Sequence, residues 1–387
     1  MKNPKSDDKR IVLIDGNSLA YRAFYALPDT MRTTSGLTTN AVYGFTTMLI
    51  KILDDKPDFV AIAFDRPEPT FRHKEYKEYK ATREKAPPTL HEQLPYVKKI
   101  AAAFDIPIYE LSGFEADDVI GTLAKEAEKE GYDVTILTGD LDPLQLVNDR
   151  IKVLTTRKGI TDTVLYGAKE VEERYGVKPE QLIDYKALKG DTSDNIPGVP
   201  GIGDKTAAQL LKEFGSLENI LKDADRITKK ALKDNIKHNR HLAELSKKLA
   251  TIVTTVPLPI DFAKCERGEI NWPKVVPLLE ELEFENLAKK HSQLTAEQII
   301  SRKRERISEF DFQCITTDQE LDGLVKKLEQ AEAFAFDVET TGLDTLAAEI
   351  VGLSFSVAPR SAYYLPAQQL NWDKLRPLFA SGKLKIG

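Results

Sequence analysis

Over its first 175 or so residues the chain alternates short aliphatic runs with longer stretches whose apolar positions recur every three or four residues. The runs Ile11–Ile14, Phe59–Phe64, Ile106–Glu110, Val134–Leu137 and Ile151–Leu154 have the length and composition of strands. Between them, Asn40–Asp54, Leu90–Phe104, Ala116–Gly131 and Pro143–Asn148 carry helical periodicity. Strands alternating with helices predict an α/β unit, a mostly parallel sheet covered on both faces. From Lys169 to about Ala250 the strand pattern stops. Helical segments punctuated by Gly and Pro (PEQLIDYKALKG, DKTAAQLLKEFGS, NRHLAELSKKLAT) predict an all-helical subdomain there. Residues 251–290 form a mixed tail ending in a helix. His291 to about Asp311 is polar and basic, with Arg302, Lys303, Arg304 and Arg306, and reads as a linker; a new strand starts at Ala333–Phe336.

Composition narrows the class. At 387 residues, 41% hydrophobic and 30% charged, the chain is long enough for two or three domains and too apolar for wholesale disorder. Its longest apolar runs are strand-sized, so no membrane span is expected. The charged start MKNPKSDDKR leads into only four apolar residues, too few for a secretory signal. Cys265 and Cys314 form neither a metal-ligand spacing nor a disulfide framework. Together these indicate a cytoplasmic protein. The net charge of −6, from 55 basic and 61 acidic side chains, argues against holding nucleic acid by bulk positive charge. The placement of the acids is therefore the more informative question.

They sit at strand ends. The first strand runs into Asp15 and the second into Asp65; Glu115, Asp117 and Asp118 open the helix after the third. Asp140 and Asp142 follow the fourth, and the helical region adds Asp191 and Asp194. In open α/β sheets the functional crevice lies outside the carboxyl ends of the strands, where the first seven of these would meet. One such Asp is ordinarily a turn residue or a helix cap, an explanation that weakens as the number grows. In extended backbone Asp140 and Asp142 would share a face, with Leu141 pointing away. Nine converging carboxylates repel and raise one another's pKa values unless cations intervene. Oxygen donors with little His or Cys favour Mg²⁺ or Mn²⁺ over Zn²⁺. Two such ions can stabilise the attacking and leaving oxygens of a phosphodiester in line.

Two further stretches carry candidate chemistry. In TFRHKEYKEYKATREK, Arg72, Tyr76, Tyr79 and Arg83 fall on one helical face with Lys80 beside them, offering cations to phosphates and rings to unstacked bases. A solvated helix with ion pairs through Glu75, Glu78 and Glu84 explains the stretch equally well. In NIPGVPGIGDKTAA the glycine spacing approaches a P-loop, but Asp204 precedes Lys205 and no strand leads in. Two helices joined by a glycine turn fit better, with N–H groups near Gly201 and Gly203 able to hold a backbone phosphate.

LIDGNSLAYRAFYAL, AFDRPEPTFRHKEYKEYKATR, GFEADDVIGTLA, LTGDLDPLQLV and GDTSDNIPGVPGIGDKTA stand in the order and spacing of the 5′-nuclease motifs of the bacterial DNA polymerase I family, a branch of the flap endonucleases. The resemblance covers residues 8 to about 290. It implies a PIN-like parallel-sheet nuclease core over 8–175, with a helical arch at about 70–90. A helix–hairpin–helix subdomain would follow over 176–290, then a linker over 291–314. It implies metal carboxylates at Asp15, Asp65, Glu115, Asp117, Asp118, Asp140, Asp142, Asp191 and Asp194. The first, second, third and fourth of these would serve one ion and the last four the other, with Asp118 between direct ligation and support. Lys80 and Arg83 would orient the scissile phosphate. Further DNA contacts would come from Arg22, Arg72, Tyr76, Tyr79, Gly201, Gly203, Lys205 and Thr206, and K⁺ is a further candidate cofactor at the hairpin. The family usually has Lys or Arg where this chain has Leu141.

FAFDVETTGLD resembles the first motif of the same family's 3′–5′ exonuclease domain, with Asp337 and Glu339 in its ligand positions. Residues 315–387 are thus expected to be a truncated, α/β ribonuclease-H-like piece. Its apolar strand face (Ile350, Leu353, Phe355, Val357) would be only partly covered, and it would have no proofreading activity. The implied function is a monomeric, metal-dependent 5′→3′ exonuclease and 5′-flap endonuclease of DNA replication and repair. It would act on branched, flapped or nicked DNA at the bacterial nucleoid. A silent junction binder of the same fold is the first rival, and none of the nine acids is missing to support it. A nuclease with an unrelated C-terminal extension is the second, and Asp337 and Glu339 speak against it.

Overall fold

The computed structural model describes residues 9–83, 86–158, 162–291, 311–342 and 348–386. The basic stretch Arg302–Arg306 lies outside them. The chain divides into two compact units at residues 292/293.

The first unit is built on a six-stranded sheet. Its strands are β1 (Arg10–Asp15), β2 (Phe59–Ala63), β3 (Ile108–Tyr109), β4 (Asp133–Thr138), β5 (Ile151–Lys158) and β6 (Asp162–Tyr166), in the order β3-β2-β1-β4-β5-β6. The first five run parallel, with Ile11 opposite both Phe59 and Val134; β6 is an antiparallel edge. Alternate residues serve two cores. Ile11, Leu13, Phe59 and Ala61 face one apolar cluster, and Ile14, Val60 and Ile62 face the other. Burial on both faces is why these strands read as continuous apolar runs. The order reverses at β1, so β1 and β4 leave a crevice outside their carboxyl ends.

Helices α1 (Gly16–Ala26), α2 (Asn40–Asp54), α3 (Phe71–Glu75), α4 (Pro88–His91), α5 (Leu94–Ala103) and α6 (Ala116–Lys129) connect these strands. Helix α1 has no counterpart in the sequence reading. It starts at once because Asp15 accepts the Ser18 N–H at 2.9 Å, and because Gly16 has no Cβ to place 2.4 Å from the Phe64 ring. The reading of Leu90–Phe104 as one helix is corrected, since it divides into α4 and α5. Edge strand β6 was also missed; only Tyr166 of its five residues is buried, so it lacks a core strand's apolar run.

Six helices follow: α7 (Ala168–Tyr175), α8 (Leu182–Lys189), α9 (Asp204–Phe214), α10 (Leu217–Lys222), α11 (Lys230–His238) and α12 (Arg240–Ala250). The expected helical subdomain extends to residue 290, but the chain returns earlier. Glu266 bridges Phe59, and the Arg267 N–H donates to the Asp58 carbonyl at 2.8 Å. Val275, Val276 and Leu279 of α13 (Trp272–Glu281), then Ala288 of α14 (Glu285–His291), pack into the sheet's second core beside α2 and α5. The single helix expected at the end of this tail is corrected to two, and the pattern did not show which surface they cover.

The second unit has the sheet order β11-β8-β9-β10-β7, from β7 (Asp311–Cys314), β8 (Ala333–Thr340), β9 (Ile350–Ala358), β10 (Ser361–Pro366) and β11 (Leu384–Ile386). Strand β7 pairs in parallel with β10, so the expected linker end at 314 is too late; all four of its residues are exposed, so it carries no buried apolar run. The β9 face is better covered than expected. Leu353 and Phe355 are buried with Leu321, Leu324 and Leu328 of one helix and Leu375 and Leu378 of another, while Ile350 stays exposed.

Candidate active site

The acids gather where the topology places the crevice. Asp15 ends β1, buried, and accepts from the Ser18 N–H and from the Thr138 hydroxyl at 2.9 Å each. Asp65 follows β2 and accepts the N–H of Ala116, the first residue of α6, at 2.8 Å. Asp117 lies in the first turn of the same helix, and its Oδ1 is buried without a hydrogen-bond partner. Asp140 and Asp142 converge, but not as strand neighbours. Strand β4 ends at Thr138, and a turn follows in which Asp140 Oδ1 accepts the N–H groups of Leu141 (2.6 Å) and Asp142 (3.1 Å). The extended-backbone argument for this pair is corrected accordingly. Leu141 packs against the main core, so it does turn from the carboxylates.

Electrostatics register the crowding. Burial, then Asp65, raises Asp15 to about 7. Burial also raises Asp142 to about 7, with Asp140 adding to the shift and Lys186 opposing it. Asp117 is driven well above its ordinary value by burial and by Asp140, Asp15 and Asp142. Asp65 keeps one side open to solvent, yet the dense protein around it pushes it up as well.

Cations hold the remaining acids. Glu115 accepts from Lys80 Nζ at 2.9 Å and from the Tyr79 hydroxyl at 3.2 Å. Asp194 pairs with Arg83 and accepts the Tyr79 hydroxyl at 3.0 Å. Lys186 bridges Asp142 and Asp191, the latter at 2.8 Å. Burial pushes Asp191 up, but Lys186 and the Ser193 hydroxyl and N–H override it and hold the carboxyl at about 2. Among the described residues no three acidic, His or Cys side chains meet as a preformed cation cage. The donor set nonetheless suits hard divalent ions: oxygen only, mutually repelling, with one buried oxygen unpartnered.

Asp118 stands apart from the crevice acids. It is fully buried; its oxygens take both Arg72 guanidinium nitrogens (2.7 and 2.8 Å) and the N–H groups of Val253 (2.8 Å) and Glu115 (3.1 Å). Arg72 also donates to the carbonyls of Leu249 and Thr251, clamping the end of α12 to the nuclease core. Arg72 and Tyr79 are therefore interior groups, not an exposed DNA-facing stripe. The long helix over residues 70–85 is corrected too. Among the described residues of that stretch only α3 is helical, Tyr76 is extended, and Lys80 has a left-handed φ of 56°. Tyr76 is half-buried against Tyr79, Ile196, Leu249 and Ala250, and Arg83 is exposed.

At the glycine hairpin, Gly201 (φ +80°), Gly203 and Lys205 are exposed and Thr206 half-buried, with Gly203 capping α9. Arg22 is half-buried on α1. Lys186 and Thr138 were not singled out from sequence. Lys186 lies on α8, where nothing in the local pattern marks it. In the second unit Asp337 and Glu339 are exposed on β8. Among the described residues no helix is long and apolar enough to cross a membrane.

Comparison with known proteins agrees with this architecture. Residues 10–176 match the family model of the 5′-3′ exonuclease N-terminal resolvase-like domain, residues 177–273 the 5′-3′ exonuclease C-terminal SAM fold, and residues 312–387 a 3′-5′ exonuclease. DNA polymerase I of Bacillus subtilis is 43% identical over 93% of this chain and 40% of its own length. That of Bacillus caldotenax is 47% identical over 75% of this chain and 33% of its own. The chain thus spans two fifths or less of these relatives. A bacteriophage T5 flap endonuclease variant, solved with DNA and metal ions, shares the fold with a TM-score of 0.54 at 23% identity, over 71% of this chain and all of that one. Through residues 10–273 the chain belongs to the 5′-3′ exonuclease family, and bacterial DNA polymerase I proteins align with it over as much as 93% of its length.

Proposed function

We propose that this chain hydrolyses phosphodiesters near the single-strand junction of branched, flapped or nicked DNA, as a divalent-metal-dependent 5′→3′ exonuclease and 5′-flap endonuclease. The observation that carries this reading is the convergence of acids from β1, β2, α6, the turn after β4 and the loop after α8, with the Asp117 Oδ1 unpartnered. Asp15, Asp65, Glu115 and Asp117 would hold one Mg²⁺ or Mn²⁺ ion, and Asp140, Asp142, Asp191 and Asp194 another. Such ions supply Lewis-acid stabilisation of the attacking and leaving oxygens.

The protein's own groups do the rest. Thr138 and Ser18 orient Asp15, and Asp140 is fixed by its turn, so the donors need little rearrangement. Lys80 and Arg83, now paired with Glu115 and Asp194, are the cations near enough to exchange those partners for a scissile phosphate. The N–H groups at Gly201 and Gly203, with Lys205 and Thr206, grip one duplex phosphate beside a K⁺ site, and Arg22 and Tyr76 add contacts near the junction. On this reading the sheet, with α13 and α14 packed on it, catalyses, helices α7 to α12 grip the duplex, and the second unit carries Asp337 and Glu339. The chain acts as a monomer on replication and repair intermediates, in primer removal and nick translation, at the bacterial nucleoid. The test is 5′-flap DNA incubated with purified chain, in Mg²⁺ or in excess EDTA. Cleavage is expected only with the metal, and equal cleavage in both would refute the proposal.

A further inference from the structure

We infer that Asn195 is a positioning residue: it fastens the arch segment to the loop bearing Asp191 and Asp194, and so sets where Lys80 and Arg83 stand. The inference rests on the metal-dependent cleavage proposed above. It starts from the rigidity of the loop. Asp191 and Ile196 exchange both backbone hydrogen bonds, at 2.9 and 2.8 Å, closing the segment as an isolated antiparallel bridge. At its base Gly190 and Gly198 cross so closely that a Cβ on Gly198 would lie 2.3 Å from the Gly190 nitrogen. The Gly198 N–H donates to the buried Ser246 hydroxyl of α12 at 2.9 Å. The loop therefore moves with the helical subdomain or not at all.

The arch segment docks on this fixed loop through two left-handed residues. Lys80 (φ 56°) donates its N–H to the Asp194 carbonyl at 2.9 Å. Asn195 (φ 55°) donates its side-chain amide to the Glu78 carbonyl at 2.6 Å, and Arg83 Nε donates to the Ser193 carbonyl at 3.1 Å. The position at Asn195 makes two demands. The backbone must tolerate a left-handed conformation, which Gly, Asn and Asp do best. The side chain must also donate a hydrogen bond, which Gly and ionised Asp cannot. Asn meets both. Its amide bonds the Glu78 carbonyl rather than Lys80 or Arg83, so it acts on those cations only through the backbone between them.

The experiment uses the full chain with Asn195→Gly and Asn195→Asp, both of which keep the left-handed turn and remove the donor. In the metal-free protein, trypsin cleavage after Lys77, Lys80 and Arg83, read by mass spectrometry, is expected to quicken about fivefold, the population change that loss of one hydrogen bond allows. In Mg²⁺, the single-turnover rate on a 5′-flap substrate is expected to fall about fivefold, with less than about twofold loss on a fully paired 5′ end. A flap-to-paired ratio equal to wild type in both variants overturns the positioning role, whether the two rates are unchanged or fall together. A wild-type chain inert on both substrates would remove the proposed function instead, and the trypsin rates alone would then decide whether Asn195 holds the arch.

Discussion

Asp140–Asp142 and Asp337–Glu339 are acid pairs of the same spacing near the carboxyl ends of inner strands, and their surroundings differ. The first pair sits in a turn, within electrostatic reach of Asp15, Asp117 and Asp194, with Lys186 as a counter-ion. The second lies along β8, opposite Ser354 and Gly352, with both carboxylates exposed. In the second unit strand geometry alone puts two acids on one face, as the sequence reading assumed for Asp140 and Asp142. In the first unit a different local structure reaches the same end, and it is convergence from five segments that gives the pair its charge environment. Spacing marks a candidate, and the neighbours brought in by the fold decide what it can do.

The comparison breaks most sharply under charge removal. Asp140→Asn or Asp191→Asn is expected to lower single-turnover flap cleavage by at least about 10³-fold while DNA affinity stays within about threefold. Wild-type turnover by either variant would remove the first pair's special standing. Next in size is the buried clamp beneath it. Arg72→Ala strands Asp118 without its guanidinium and is expected to cost about 3–5 kcal/mol in urea unfolding of the first unit. The surface pair Lys374–Asp322 of the second unit is expected to cost less than about 1 kcal/mol on Lys374→Ala. Equal costs would mean that Arg72 is not the interior group its contacts describe.

The pH response sharpens the same contrast. Asp15 and Asp142, raised to about 7, and Asp117, raised well above the usual range, keep protons in the folded chain that the unfolded chain releases near pH 4. The folded state binds more protons, so stability falls as pH rises through 7. In EDTA the Tm of the first unit is expected to drop roughly 5–10 °C between pH 5 and pH 8, and saturating Mg²⁺ to remove most of that drop. Asp191, held at about 2, acts below this window. A Tm rising over the range would reverse the electrostatic account. The smallest expected effect is at Leu141. Leu141→Lys changes DNA affinity by no more than about threefold and leaves metal affinity unaltered, because the side chain faces the core rim. A large change in metal affinity would place residue 141 among the carboxylates.

Much of this was legible before the structure. Apolar runs named β1, β2, β4 and β5 within a few residues, and acids at their ends named the crevice, because both follow from local pattern. Asp117 and Asp118 share a motif, and only the tertiary fold shows which of the two adjacent acids faces the crevice and which faces Arg72. The arch stretch misled for a related reason. Its helical spacing of cations and rings is real, but the left-handed turn at Lys80 is set by the loop it docks on, not by local propensity. Lys186 went unnoticed since a single Lys on an amphipathic helix carries no sign of the acids across from it.

Metal titration tests the central claim most directly: that the acids of the first unit, and not a spacing shared with the second, form the divalent-cation site. Calorimetric titration of Mn²⁺ into the full chain is expected to give binding that Asp117→Asn weakens by at least about tenfold and that Asp337→Asn leaves unchanged. Binding untouched by Asp117→Asn, or abolished by Asp337→Asn, would contradict it.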